Sequence, residues 1–298
     1  GMSKSMEINM KNVVITGSSN GFGESAAKIF ADSGYRVWAT MRESTQRNAQ
    51  KKEALESYSD KITVVEMDVT EDESVRDAFS IILQEIEKVD VLINNAGIMY
   101  TGITEAFSVE QAHTQMNTNY YGAIRATQAV LPGMRKAGNG LIINVSSIAG
   151  RIAVPYFGTY CATKFALEAY SQSLRYEVAP YGVDIALVEP GPFSTGLFAA
   201  IKKPERSDVI ESYGELKNVP NTLFAGFGEM LKNDEFPDPK LVVDAYLSLA
   251  ESEPGTRPMR TQVGVSWGVD ELNRMSQPIQ DSILEGLQIA DYLGGVSQ

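Results

Sequence analysis

A single cysteine, Cys161, in a chain of 298 residues leaves no partner for an internal disulfide, so nothing here asks for an oxidising compartment. The thiol stands beside Tyr160, where it fits either a redox role or a small packed residue. Histidine is equally scarce. His113 is the only one, so a Ser–His–Asp triad or a His-based metal centre would rest on it alone, and no metal site is expected. Positive charge is in short supply: 26 Lys and Arg against 38 Asp and Glu give a net charge of −12. That balance argues against a nucleic-acid binder or a protein that docks on anionic membranes. No apolar run approaches the roughly 18 residues of a membrane span, and the first residues lack the apolar stretch of a signal peptide. Gly1 ahead of Met2 has the look of a cloning remnant, and residues 1–10 are expected to be a tail. Low-complexity linkers are absent, so residues 11–298 read as one domain. The absences together describe a soluble cytoplasmic protein with neither nucleic-acid nor membrane partners.

What is present is an alternation of short β-branched runs and helical stretches. Val13-Val14-Ile15 ends in Thr16-Gly17 and leads into Ser18-Ser19-Asn20-Gly21-Phe22-Gly23, after which residues 24–33 are helical with Gly34 as their stop. Strand, glycine-rich turn and helix aim backbone N–H groups and a helix N-terminus at a phosphate, although a plain strand-to-helix connection has the same look. Further strands are expected at 36–41, 62–69, 89–97, 140–147 and 183–189, with helices at 45–58, 73–87, 109–136 and 241–252 and a last strand near 260–265. Strand–helix repetition of this kind implies a parallel sheet with helices on both faces. Residues 196–239 hold several Pro, Gly and Asn and are read as a flap; 266–298 form a C-terminal extension that is helical and then frayed.

Three local features carry chemistry. The second strand ends without a carboxylate and is followed by Arg42, which would suit a 2′-phosphate better than a free ribose hydroxyl if a dinucleotide binds; a solvated Arg at a strand end is the plain alternative. Two asparagines, Asn117 and Asn119, sit in one helical turn, where Asn is disfavoured. In the helical stretch that follows the fifth strand, Tyr160 and Lys164 are one turn apart on the same face. A cation beside a phenol lowers its pKa and lets it pass protons near neutrality. Alone, that spacing is also an ordinary solvated helix face.

Order and spacing decide between these readings. Thr16-Gly17-Ser18-Ser19-Asn20-Gly21-Phe22-Gly23, Asn94-Asn95-Ala96-Gly97, Asn119-Tyr120-Tyr121-Gly122, Ser147 thirteen residues before Tyr160, Tyr160-x-x-x-Lys164 and Pro190-Gly191 together resemble the single-domain short-chain dehydrogenase/reductases, over residues 11–197. The resemblance implies a Rossmann-type doubly wound parallel sheet of about seven strands and an NADP(H)-dependent oxidoreductase acting on a secondary alcohol, ketone or aldehyde. It makes Tyr160 the general acid or base and Lys164 the residue that lowers its pKa and holds the nicotinamide ribose. Ser147 would donate to the substrate oxygen, with Ser146 in that place if the strand end is shifted by one. Asn119 would hold a relay water, with Asn117 the weaker candidate. Gly17, Gly21 and Gly23 would line the pyrophosphate, with Arg42 at the 2′-phosphate. Asp68 and Val69 would meet the adenine, Asn95 the ribose region and Thr195 the nicotinamide carboxamide. Ser19, Asn20, Phe22, Ala96, Gly97, Pro190 and Gly191 would also touch the cofactor.

The chain departs from the family's commonest form after its last strand, and its tail looks more like the hydroxysteroid and retinol dehydrogenase-like branch. Ile148, Val154, Tyr156, Phe157, Phe193, Leu197 and Phe198 stand near the site in sequence and hint at an apolar substrate; core or interface packing explains them equally well. A homodimer or homotetramer, paired through the helices at 109–136 and 160–179, follows by analogy. A catalytically silent NADP(H) sensor on the same scaffold is the alternative from a different class, and it is disfavoured because both Tyr160 and Lys164 are retained. A sugar-nucleotide epimerase or dehydratase is disfavoured by the glycine spacing.

Overall fold

The computed structural model describes residues 3, 10–193, 201–232 and 236–293. Inside the sheet lies β1 (Asn12–Ile15), whose Val13, Val14 and Ile15 are wholly buried. A continuous β-branched run of that kind belongs to a strand covered on both faces. β2 (Arg36–Met41) and β3 (Ile62–Glu66) extend the sheet on one side of β1. On the other side follow β4 (Val91–Asn94), β5 (Gly140–Val145), β6 (Val183–Pro190) and β7 (Arg260–Val263). All six pairings are parallel, in the order β3-β2-β1-β4-β5-β6-β7.

Successive side chains of a strand point to opposite faces, so each strand feeds two cores. Val13 and Ile15 pack with Phe30, Ile143 and Tyr246 on one face, under α1 (Gly21–Asp32), α2 (Ala49–Tyr58) and α9 (Lys240–Glu251). Val14 packs with Trp38, Phe79, Leu92 and Val130 on the other, under α3 (Asp72–Glu85) and α5 (Gly122–Ala137). The sheet is therefore doubly wound in a single domain, as expected. Strand order reverses between β1 and β4, and in such sheets the crevice outside the strands' carboxyl ends at that point receives the ligand.

Departures from the sequence expectation have local causes. The helix expected from residue 45 starts at Ala49, because Glu66 takes the turn before it: its carboxylate accepts from Glu43 N and Ser44 N, both at 2.8 Å, and Glu43 sits at φ +50°. The stretch 109–136 is helical but not one regular helix. α4 (Val109–Met116) and α5 are joined by a wider π-type turn, Asn117–Tyr121, closed by Gly122 N on Asn117 O. Between 196 and 239 the described residues include α7 (Ser207–Ser212) and α8 (Val219–Lys232). α6 (Gly158–Val178) carries Tyr160 and Lys164, and the C-terminal stretch contributes α10 (Val269–Gly286). No helix among the described residues is long and apolar enough to cross a membrane.

Candidate active site

The glycine-rich turn is built by close backbone approach. Gly17 has φ +65°, and a Cβ there would lie 2.7 Å from the Cα of Ala96. At Gly23 a Cβ would meet the carbonyl oxygen of Gly17 at 2.1 Å and Asn95 Nδ2 at 2.8 Å. These contacts weld the end of β1 to the end of β4. Thr16 Oγ1 completes the joint by accepting from the backbone N–H of both Asn95 and Ala96, each at 3.0 Å. Gly21 differs: it is exposed, has φ +57° and open space around its missing Cβ. Asn20 precedes α1 without a side-chain cap, so its side chain leaves the first N–H groups of the helix unsatisfied. An anion suits such a terminus. Ser19 is half-buried, and Phe22 turns back to meet Phe193 edge-on at 6.0 Å.

Four of the expected site residues converge at the strand ends on the other side of the switch point. Tyr160 and Lys164 are buried, 7% and 6% exposed, and the Lys164 ammonium lies 5.8 Å from the centre of the Tyr160 ring. Lys164 Nζ donates to Val145 O at 2.9 Å, which fixes it at the end of β5. Ser147 follows that strand; its Oγ accepts from Ala149 N at 3.0 Å and its hydroxyl interacts with the phenol of Tyr160. Ser146 is turned away beneath Gly150, whose Cβ would collide with Ser146 Oγ at 2.4 Å. Asn119 is buried in the wide turn: its Oδ1 accepts from Ile98 N at 2.8 Å, and its Nδ2 donates to Ile98 O at 2.9 Å and to Thr163 Oγ1 at 3.0 Å. Thr163 in turn donates to Tyr160 O at 2.7 Å. Asn117 instead faces Thr70 O at 3.5 Å, outside this group.

Electrostatics differ from the simple picture of a Lys lowering a Tyr. Burial pushes the Tyr160 phenol above its ordinary value, with the Ser147 hydroxyl pulling the other way. Burial pulls Lys164 down to about 8, opposed by the carboxylate of Glu168 one turn further along α6. The cost of burying each charged form outweighs their mutual attraction at this separation. Cys161 is buried beside them and burial raises its thiol, which suits packing more than reactivity.

The remaining expected residues divide. Arg42 is exposed with no acidic partner among the described residues, and so is available to an anion. One oxygen of Asp68 is engaged by Thr70 N at 2.9 Å and Thr70 Oγ1 at 2.6 Å. Val69 packs directly against Gly122, where a Cβ would meet it at 2.8 Å. Gly97 faces the group: a Cβ there would lie 3.5 Å from Asn119 Oδ1 and 3.8 Å from Lys164 Nζ. Gly191, after Pro190, lies under Val265 O, 2.0 Å from where its Cβ would be. Thr195, Leu197 and Phe198 lie outside the described residues. A bare glycine cradle, an uncapped helix end and an Arg42 without an acidic partner among the described residues are donors suited to a dinucleotide phosphate, so these residues fit a nicotinamide dinucleotide cofactor.

Beside Tyr160 the structure forms an apolar cluster that sequence proximity only half identifies. Tyr156 and Phe157 belong to it, but Met99, Leu223, Phe224 and Phe227 join from distant segments. Phe157 meets Phe224 and Phe227 edge-on at 5.8 and 6.4 Å. Leu223, Phe224 and Phe227 share one face of α8, a periodicity that was available in the sequence. Phe193 instead joins the main core, and Val154 is exposed. Tyr246 of α9 carried no sequence signal, yet its hydroxyl donates to Asn95 Oδ1 at 3.0 Å from a fully buried ring. Tyr246→Phe should therefore destabilise the protein by about 1 kcal/mol in urea unfolding and weaken cofactor binding; unchanged values for both would remove Tyr246 from the site.

The sequence model of the family described as short chain dehydrogenase matches residues 11–206, and the chain belongs to that family. Over 184 residues it is 42% identical to the 3-ketodihydrosphingosine reductase of Bacteroides thetaiotaomicron, covering 62% of this chain and 64% of that one. It is 39% identical over 188 residues to retinol dehydrogenase 8 of Homo sapiens, covering 62% and 60% respectively. The chain thus matches about three fifths of the length of these relatives. A solved short-chain dehydrogenase from Streptomyces avermitilis, 28% identical, shares the fold with a TM-score of 0.75 over 95% of this chain and 98% of that one.

Proposed function

We propose that this protein is an NADP(H)-dependent oxidoreductase that interconverts a secondary alcohol and its ketone, or an aldehyde, on a predominantly apolar molecule. The observation that carries this reading is the buried Tyr160 phenol, flanked by Ser147 and Lys164 and packed beside the Met99, Phe157, Phe224 and Phe227 cluster. When bound, the nicotinamide supplies or accepts the hydride; the chain manages the proton and the geometry. In reduction Tyr160 gives its proton to the carbonyl oxygen as the carbon receives the hydride, and in oxidation it takes that proton back. Ser147 donates to the same oxygen as charge develops on it. The Lys164 ammonium stabilises the phenolate left behind and is placed to hold the ribose. Asn119 commits both Nδ2 hydrogens and one Oδ1 lone pair to Ile98 and Thr163, so it fixes the backbone of Tyr160, with a second Oδ1 lone pair left for a relay water. Relatives named as a 3-ketodihydrosphingosine reductase and a retinol dehydrogenase support the apolar substrate class.

The test is NADPH oxidation over a graded panel of short and long apolar ketones and aldehydes. Turnover that rises with chain length supports the reading, and silence across the panel despite tight NADPH binding would favour the sensor alternative. Arg42→Ala should cut the NADPH-over-NADH preference in kcat/KM by about ten- to a hundredfold, the worth of a charge-assisted Arg–phosphate pair; an unchanged ratio would remove Arg42 from the cofactor site. Because Lys164 titrates near 8, with its charged form below that value, the reductive kcat should fall as pH rises through about 8. A flat profile from pH 7 to 9.5 would show that the Lys164 charge is not needed. Pairing of two copies through α4–α5 and α6 follows from the family resemblance, and sedimentation of the purified protein measures it.

A further inference from the structure

A buried polar cluster beyond the reacting groups connects them to the C-terminal helix. Ser147 begins a short turn, Ile148–Gly150, in which Gly150 N donates to Ser147 O at 2.9 Å and Arg151 N to Ile148 O at 2.9 Å. The Arg151 side chain then leaves the turn and grips α10: its Nε donates to Asn273 Oδ1 at 2.8 Å and one terminal nitrogen to Ser276 Oγ at 2.9 Å. Asn273 passes the connection on, its Nδ2 donating to Glu189 Oε1 at 2.7 Å. Glu189 is fully buried on β6, two residues before Gly191. Arg260 of β7 spans the two acids, 3.0 Å from Glu168 Oε1 on α6 and 3.6 Å from Glu189 Oε2. Glu168 lies one turn beyond Lys164.

The cluster is organised, not incidental. Glu168 Oε2 and Glu189 Oε2 find no hydrogen-bond partner among the described residues, and the two carboxyls face each other across the Arg260 guanidinium. Burial and the facing Glu168 raise the Glu189 pKa accordingly. Unpairing any member would leave a buried polar group unmatched, which keeps the set in one arrangement. The side of α10 that supplies Asn273 and Ser276 is thereby tied to the segment that begins at Ser147.

We propose that Arg151 is a positioning residue: clamped by Asn273 and Ser276 of the C-terminal helix, it sets the location of the Ser147 hydroxyl relative to Tyr160. This rests on the reading of Ser147 given above. Neither Arg151 nor α10 touches a reacting atom; they act through the turn. A small displacement of a donor is enough to matter, since misplacement on the scale of 1 Å can cost about a hundredfold in rate.

The experiment is a double-mutant cycle on the full chain with NADPH and the best substrate of the panel. Arg151→Ala should lower kcat about tenfold while KM for NADPH stays at the wild-type value, and Arg151→Lys should recover little because it cannot make the two-pronged contact. In a Ser147→Ala background the same Arg151→Ala change should have no further effect. Full additivity of the two substitutions, or a wild-type kcat for Arg151→Ala, would overturn the proposal. Should Arg151→Ala not fold, Ser276→Ala removes one of the two contacts at small structural cost; it should lower kcat about threefold only when Ser147 is present, and an equal loss in both backgrounds overturns the proposal. Equal turnover by Tyr160→Phe and wild type would instead refute the proposed function, so the two failures are distinguishable.

Discussion

Replacing Tyr160 by Phe should lower kcat for ketone reduction by about a thousandfold, within the range a positioned proton donor contributes, with KM for NADPH unchanged. The ring stays among Phe157, Met99 and Cys161, so packing is preserved and only the hydroxyl is removed. No neighbour can take over. Lys164 is held on Val145 O, and the Cys161 thiol is raised by burial in an apolar setting. Ser147 can donate a hydrogen bond but is far too weak an acid to surrender its proton at neutral pH. Because burial raises Tyr160, the phenol is protonated at neutral pH and ready to serve reduction. Stopped-flow NADPH oxidation and a thermal melt of the same samples separate chemistry from folding. Turnover within about threefold of wild type would remove Tyr160 from the reaction.

The second large effect is expected at Gly23→Ala. The problem is not φ but space: the added methyl would lie 2.1 Å from Gly17 O and 2.8 Å from Asn95 Nδ2. The nearest obstacle is backbone, which no rotamer change relieves. Gly17 cannot yield either, because it is pressed against Ala96. Overpacking of this kind costs about 1–3 kcal/mol, and the turn that faces the phosphate must move. We expect a lower Tm together with a Kd for NADPH raised more than about tenfold. Gly34→Ala is the control: Gly34 has φ +92° and open space, so it should lose stability without losing NADPH. Equal NADPH affinity in Gly23→Ala and wild type would show that this turn does not seat the cofactor.

Much of this was readable in the chain. The buried part of β1 declares itself by the unbroken β-branched run Val13-Val14-Ile15, and β2 by Arg36–Met41 between turn residues. Tyr160, Lys164, Ser147 and Asn119 were readable as a set only through the resemblance to the short-chain dehydrogenases; the residues alone gave the Tyr160–Lys164 helix face and the unusual Asn pair in one turn. Interactions across long sequence separations were not readable. Glu66 claims the N–H groups of Glu43 and Ser44, Tyr246 reaches Asn95 across 151 positions, and α8 brings Phe224 and Phe227 over Phe157. In each case the partner is chosen by the assembled sheet, and local composition holds no trace of it. The direction of the Tyr160 and Lys164 shifts belongs here too, since burial is a property of the fold and not of the spacing.

The wide turn at Asn117–Tyr121 has a consequence for how insertions and deletions act on this protein. Each residue of an α-helix advances the winding by about 100°, and a π-type turn holds one more residue than that winding accommodates. The surplus lets Asn119 look towards Ile98 while Gly122 still presents its bare backbone to Val69. Loss of a single residue from this turn would thus return it to regular winding, with the downstream helix still in phase but the outward reach of Asn119 towards Ile98 lost. A substitution in the same place leaves the surplus residue, and with it the wide turn, intact.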